Sequence, residues 1–447
     1  MFELVLRGPK GTKRSLNYNP MTSACVWTDT GEPIAEVKTK AWKEVFPVSP
    51  QNPAGKTRKA KKVKIQLGLK CNYSCSYCNQ RSQPQDMQAN PKQVERFLAK
   101  LPSWLDLGSG EQVRIEFWGG EPFVYWRTLK PLAEGIRALY PKAEFTVITN
   151  ASLLDQEKVD WLYALGFRVG ISHDGPAYEA GRGADPLCND EQRKWIKYLF
   201  DRMSPEGRLS FNAVLSLQNL SLDAVRAYIG KKLDVSKTSI VLSTEEVLLP
   251  YDEMAADLSL NLDSEAASVR DTVFMEAITG ATADISSVVN KIEDFFRSVT
   301  EGRPAHALGQ KCGMDREDNL ALDLNGNVMT CQNTSALTKH RIGHMDAFDH
   351  IKLTTAHHWS VRAECVKCPV LQLCRGSCLF LEGELWEKAC DNSFNYNLGL
   401  LAASLFIGTG LVLVEINGKE IRAPGIVSIP VIDADLFEIQ IQKEFHA

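Results

Sequence analysis

Three observations predict an α/β protein: a partial (β/α)6 barrel followed by a cysteine-rich domain, with small β-rich segments at both ends. Residues 63–300 alternate apolar strand-like runs with amphipathic helical stretches. A cysteine triplet, C-x3-C-x2-C, comes directly after the first of those strands. A second group of seven cysteines lies between residues 312 and 390.

At 447 residues the chain is long enough for two or three domains. It is 44% hydrophobic and 24% charged, with a formal net charge of −4. That balance is ordinary for a globular protein and argues against a nucleic-acid partner. The opening residues do not read as a secretory signal, and twelve cysteines then imply metal or redox use in a reducing, cytoplasmic compartment rather than a disulfide framework. Residues 399–414 are uncharged, but 16 residues fall short of a bilayer span. They read as a buried helix running into a strand, and no membrane association is expected.

Taken in order, residues 1–61 form a β-rich extension. Phe2–Leu6 and Ala24–Trp27 are strand-like, and a turn is expected at Thr28–Pro33. The extension ends in a basic run of Lys56, Arg58, Lys59, Lys61, Lys62 and Lys64, read as a solvated linker or as an attractor for an acidic peptide. The barrel is assigned to residues 62–304. Its first strand is Val63–Leu67, and the next helix, 91–101, places Val94, Phe97, Leu98 and Leu101 on one face. Strand 113–118 is followed by a helix carrying Leu129, Leu132, Ile136 and Leu139. The pattern continues through strands 144–149, 167–172, 208–216 and 238–244, with helices at 155–165, 190–203, 221–233 and 264–300. Repeated alternation of this kind means parallel strands with helices outside, and active sites at the carboxyl ends of the strands. A cysteine domain is assigned to 305–395. The last segment, 396–447, reads as helix then β, with a hairpin at Asn417-Gly418 and further strands at 427–431 and 436–441.

The triplet is Cys71, Cys75 and Cys78. Closely spaced thiolates can reach several irons of one cubane, and three of them leave one iron of a four-iron cluster open. A zinc site more often pairs C-x2-C with distant partners. The second strand ends in Trp118-Gly119-Gly120-Glu121-Pro122. Glycines allow close backbone approach to a ligand, and the acid can accept from an ammonium. Alone, these residues would also make a plain tight turn. The third strand ends at Thr149-Asn150 and the fourth at Ser172-His173-Asp174-Gly175-Pro176, either of which would also serve as an ordinary polar turn.

Together, the triplet and Gly-Gly-Glu-Pro resemble the radical S-adenosylmethionine (SAM) enzymes. The seven later cysteines, Cys312-x13-Gly326-x4-Cys331, Cys365-x2-Cys368-x5-Cys374-x3-Cys378 and Cys390, resemble the SPASM domain that accompanies many of them. The resemblance covers roughly residues 62–395. It implies SAM bound at the open iron, with contacts from Gly119, Gly120, Glu121, Asn150 and Ser172. It implies three [4Fe-4S] clusters: one on the triplet, a near auxiliary cluster on Cys312, Cys331 and Cys378, and a far one on Cys365, Cys368, Cys374 and Cys390. The near cluster then lacks a fourth cysteine, leaving an open iron or a ligand such as Asp315. The family often follows Asp-Gly-Pro with a His-Asp pair and an arginine; here Arg182 stands near the place of the arginine and the His-Asp pair is missing.

By the same resemblance, reduction releases a 5′-deoxyadenosyl radical from SAM. That radical removes a hydrogen from an unactivated carbon of a ribosomally made precursor peptide, and an oxidative side-chain cross-link follows. Electrons would come from a flavodoxin or ferredoxin. Three alternatives stand beside this expectation. In a sulfatase-maturase reaction an aspartate would follow the second cysteine, but Gln332-Asn333 follows Cys331. A peptide epimerase would use Cys188, placed beyond strand four on the mouth side, as hydrogen donor. A plain iron–sulfur electron carrier would need none of the SAM motifs.

Overall fold

The computed structural model describes residues 1–85, 88–106 and 112–418. The chain opens with strands β1 (Phe2–Arg7), β2 (Lys13–Asn19) and β3 (Ala24–Trp27), then a two-residue strand β4 (Ala54–Gly55). The barrel follows as β5 (Lys62–Gln66), α1 (Lys92–Trp104), β6 (Arg114–Trp118), α2 (Trp126–Leu139), β7 (Glu144–Thr149), α3 (Gln156–Ala164) and β8 (Phe167–Ser172). It continues through α4 (Tyr178–Gly181), α5 (Asp190–Met203), β9 (Leu209–Leu215), α6 (Leu222–Leu233) and β10 (Leu242–Val247). Three helices, α7 (Glu253–Ala256), α8 (Asp263–Ile278) and α9 (Ser286–Thr300), lead out of it.

Strands β5 to β10 pair in sequence order and in parallel, so the six units predicted from the alternation are present. Alternate residues of β7 and β9 are buried, while β5 is buried almost throughout because helices cover one face and the barrel interior the other. Phe117, Phe145 and Phe167 stack across β6, β7 and β8 with centroids 5.2–5.6 Å apart, on the face where Trp161 of α3 and Arg137 of α2 meet the sheet.

The cysteine-rich part does not stand apart from this sheet. It contributes β11 (Asn319–Asp323), β12 (Asn327–Met329), β13 (Arg341–His344) and β14 (Lys352–Leu353). β11 pairs in parallel with β5, from Asn319 beside Lys62 to Asp323 beside Gln66, and β12 and β13 extend the sheet antiparallel. The result is one nine-stranded, mostly parallel sheet of order β10-β9-β8-β7-β6-β5-β11-β12-β13. Gly326 makes the β11–β12 turn at φ +88°, where a β-carbon would also lie 2.8 Å from Trp104.

Short helices α10 (Ala363–Val366) and α11 (Leu371–Cys374) carry part of the later cysteine group. The long helix α12 (Gly383–Thr409) carries Cys390 and runs straight through the boundary expected at residue 395. The uncharged stretch is its buried carboxyl half, ending at Gly410 in the left-handed region. Among the described residues no helix is long and apolar enough to cross a membrane. Strand β15 (Val412–Asn417) then pairs antiparallel with β1, so the two ends of the chain form one sheet, β15-β1-β2-β3. The second arm of the expected hairpin and the strands expected at 427–431 and 436–441 lie outside the described residues.

The basic run is a correction. Lys56 Nζ donates to the carbonyls of Met314 (2.7 Å) and Arg316 (2.8 Å), and Arg58 to those of Ser103 and Trp104. Lys62 and Lys64 both reach Glu116 on β6. The chain here is wedged between barrel and cysteine domain, so Lys56, Arg58, Lys62 and Lys64 are internal fasteners, while Lys59 and Lys61 are exposed as a solvated run would have them.

Candidate cluster sites

Cys71, Cys75 and Cys78 lie on the loop leaving the carboxyl end of β5, with Cys71 exposed and the other two half-buried. Charge on Cys75 or Cys78 opposes charge on Cys71, so the three sulfurs share one electrostatic neighbourhood. The Cys71 thiol is pushed up to about 11, by burial first and then by its acidic neighbours. Asn150, at the end of β7, extends Nδ2 to Cys71 Sγ (3.8 Å) and to Asn72 Oδ1 (3.0 Å).

The turn after β6 packs closely on the cysteine loop. A β-carbon on Gly120 would sit 2.3 Å from the Lys70 carbonyl oxygen and 2.4 Å from that of Leu69. Gly120 N–H donates to Gly68 O (3.2 Å) and Glu121 N–H to Lys70 O (3.0 Å). The glycines thus admit the backbone of the cysteine loop itself. Glu121 is 1% exposed, and its carboxylate accepts from Phe123 N (3.1 Å), Asn150 N (2.7 Å) and Thr149 Oγ1 (2.8 Å). Burial pushes its carboxyl up to about 7 against the pull of those donors. It ties the end of β6 to the end of β7 and so sets where Asn150 stands.

Sequence reasoning missed the clasp on the other side of the loop. Asp174, just after β8, is held by Arg182 Nε (2.7 Å) and Nη2 (3.2 Å) and by Val214 N (2.9 Å). It also accepts from the hydroxyl of Tyr77, the residue before Cys78. Ser76 N donates to Gly181 O (2.9 Å), and Tyr73 OH to Ala184 O (2.7 Å). Arg182 was visible as a family-like arginine; its buried partners were not. Ser172 is half-buried at the end of β8. The next residue, His173, takes an N–H from Gly175 on Nδ1 (3.0 Å), so Nε2 donates to Asp185 Oδ1 (3.0 Å).

Asp185 is tied to Cys188. Cys188 Sγ lies 3.6 Å from Asp185 Oδ2, 3.5 Å from Tyr228 OH and 3.1 Å from Lys232 Nζ. Tyr228 and Lys232 belong to α6, in the outer helical layer. The thiol, on an exposed residue, is therefore set against that layer.

The later cysteines form two sets. Cys365, Cys368, Cys374 and Cys390 are 6–7% exposed and line one small apolar pocket, together with Val370 and Phe394. Four cysteines brought to one pocket by α10, the turn after it, α11 and α12 are what a four-iron cluster requires. Among the described residues no three His, Cys, Asp or Glu groups close on a point as a single-ion site. Cys312, Cys331 and Cys378 form the other set. Their charges oppose one another, and burial first, then that mutual repulsion, lifts the Cys331 thiol to about 12. Tyr251 OH donates to Cys378 Sγ (3.6 Å). Lys64, from β5, favours the charged forms of Cys312 and Cys331 while donating to Gln332 Oε1 (3.0 Å). Gln66 Nε2 donates to the carbonyls of Gln332 (2.8 Å) and Thr334 (2.9 Å). The strand that leads into the triplet therefore also braces this second set.

A parallel partial barrel with a cysteine loop on its first strand defines the class. Residues 65–215 match the model of the radical SAM superfamily, and this stretch of the chain is a radical SAM domain. Among curated proteins, the chain is 24% identical over 172 residues to the radical SAM cyclopropyl synthase TigE of Paramaledivibacter caminithermalis. That match covers 35% of this chain and 35% of TigE. It is 28% identical over 191 residues to an S-adenosylmethionine-dependent nucleotide dehydratase of Selenomonas ruminantium, covering 40% of this chain and 64% of that protein. The chain thus spans from about a third to just under two thirds of these relatives' lengths. Among solved structures, anSMEcpe with bound AdoMet superposes with a TM-score of 0.52 at 17% identity, over 77% of this chain and 99% of that one. At that identity the likeness concerns the fold.

Proposed function

We propose that the protein is a peptide-modifying radical SAM enzyme with two auxiliary iron–sulfur clusters, forming an oxidative cross-link between side chains of a ribosomally made precursor peptide. The observation that carries this reading is the shared sheet. β5 delivers the SAM-type cysteine loop at one end, while its Lys64 and Gln66 side chains brace the Cys331 segment alongside. A fold of the same type has been solved with AdoMet and a peptide bound together, which supports a peptide substrate here.

In this reading the triplet holds the SAM-binding cluster, which with SAM supplies a hydrogen-abstracting radical. The protein's own residues position and shield. Asn150 lies against Cys71; Glu121 holds Asn150; Asp174, Arg182 and Tyr77 fix the far side of the loop. Cys365, Cys368, Cys374 and Cys390 hold the far cluster among buried apolar side chains, and Cys312, Cys331 and Cys378 hold the near one. A flavodoxin or ferredoxin supplies electrons. The sulfatase-type reaction finds no carboxylate after Cys331, where Gln332 and Asn333 stand and Gln332 accepts from Lys64. Epimerisation through Cys188 is disfavoured by the contacts of that thiol with α6.

The test is an anaerobic reaction of the reconstituted enzyme with SAM, dithionite and the peptide encoded beside the gene. Mass spectrometry is expected to show loss of two hydrogens per modification, with 5′-deoxyadenosine formed. Unchanged mass with deuterium taken from solvent would overturn cross-linking in favour of epimerisation.

A further inference from the structure

The near cysteine set has three thiols and needs a fourth ligand or an open iron. We propose that the carboxylate of Asp315, through Oδ1, is the fourth ligand of the near auxiliary cluster held by Cys312, Cys331 and Cys378; this rests on the iron–sulfur reading above.

Asp315 lies three residues after Cys312, and its charge is felt at that thiol. It is 7% exposed. One carboxylate oxygen, Oδ2, accepts from Gln310 N (2.9 Å). The other, Oδ1, is buried and has no hydrogen-bond partner. A buried carboxylate oxygen without a donor is costly unless something positive meets it. The side chain is held in this pose. Lys56 Nζ grips the carbonyls of Met314 and Arg316, on either side of Asp315, and so fixes the loop from which the carboxylate projects. Gly309 leaves room for Oδ2, since a β-carbon there would lie 3.1 Å from it.

Rival ligands fit less well. His358 also feels the charge of Asp315, but its Nε2 is engaged with Leu308 O (3.0 Å) and its Nδ1 with Ser360 Oγ (2.8 Å). Gln310 Oε1 is likewise buried without a partner, yet it is a neutral amide oxygen, and a carboxylate is the stronger ligand for a cationic iron site. A near cluster closed by Asp315 has no vacant iron for substrate, so it would relay electrons rather than bind the peptide.

The experiment uses the full chain with Cys71, Cys75 and Cys78 changed to Ala, so that only the auxiliary clusters contribute. Iron is counted and the electron paramagnetic resonance spectrum of the dithionite-reduced protein is recorded. The parent should hold about eight irons per chain, two four-iron clusters. Asp315→Ala should lose about one iron on mild oxidation, giving a three-iron signal, while the far-cluster signal stays at full intensity and reports an intact fold. Asp315→Cys should restore the iron count with a shifted spectrum. If Asp315→Ala destabilises the chain, the isosteric Asp315→Asn carries the test and should still alter the near-cluster spectrum. Iron content and spectra identical to the parent in both Asp315→Ala and Asp315→Asn would overturn the proposal. About four irons in parent and variants alike would show that no near cluster assembles, and so would sink the underlying reading instead.

Discussion

The triplet on Cys71, Cys75 and Cys78 and the quartet on Cys365, Cys368, Cys374 and Cys390 are built from the same thiol chemistry but placed oppositely. The triplet rides on a loop, with one exposed sulfur and two half-buried ones, held by side chains from the ends of β6, β7 and β8. The quartet lies in packed core, on three helices and the turn between two of them, with each cysteine 6–7% exposed. On the function proposed above, the site that admits a ligand takes its position from outside, through hydrogen bonds and ion pairs. The site that only holds its cofactor is set by burial, and its cysteines would be at once ligands and core residues.

That contrast can be broken, and the largest effects come first. Cys75→Ala should abolish SAM cleavage while the protein stays folded with its auxiliary iron. Cys368→Ala should instead yield insoluble or unfolded protein, read by soluble yield and circular dichroism. Equal behaviour of the two would end the distinction. Gly120→Ala adds a β-carbon 2.3 Å from the Lys70 carbonyl and must displace the cysteine loop. A shift of about 1 Å there should lower the SAM cleavage rate roughly 100-fold with little loss of auxiliary iron.

The quartet is also fastened from outside. Asp294 on α9 receives Arg303 (2.8 and 3.1 Å), Arg297 and Arg375, the residue after Cys374. Burial works to raise its carboxyl, but the three guanidiniums hold it down to about 2. Asp294→Ala leaves Arg303 buried without its anion and should cost about 3 kcal/mol of stability, seen as a lower unfolding midpoint, with SAM cleavage by the folded fraction unchanged. The smallest effect concerns Glu121. Its folded-state carboxyl, near 7, lies above the ordinary carboxylate range, so the folded state binds the proton more tightly than the unfolded chain does. Its stabilising contribution is present at low pH and is lost as pH rises through about 7. Thermal unfolding between pH 5.5 and 8 should show that decline in the parent and a flatter profile in Glu121→Gln, about 2 kcal/mol across the range.

Much of the barrel was legible in the sequence, because each strand–helix unit is a local pattern: Val94, Phe97 and Leu101 repeat on one helical face, and alternate residues of β7 are buried. The cysteine sets were legible as spacings. What escaped is nonlocal. Nothing in Asn319–Asp323 says that its parallel partner is Lys62–Gln66, more than 250 residues earlier, yet that pairing fuses the expected domains into one sheet. Nor does Gly-Gly-Glu-Pro reveal that its glycines accept a neighbouring loop, or that Glu121 faces three protein donors; both follow from which strand ends become neighbours.

The pairing of β15 with β1 also bears on how the protein is made. Leu4 and Leu6 leave the ribosome first, while their partners Ile416 and Leu413 emerge some 400 residues later, about 20–80 s at ordinary elongation rates. Through that interval β1 has β2 on one side and an open, apolar edge on the other. A strand from another molecule could add there. Slow elongation or crowded expression should therefore favour misassembly at this edge, and the yield of native protein should depend on how quickly the last strand arrives.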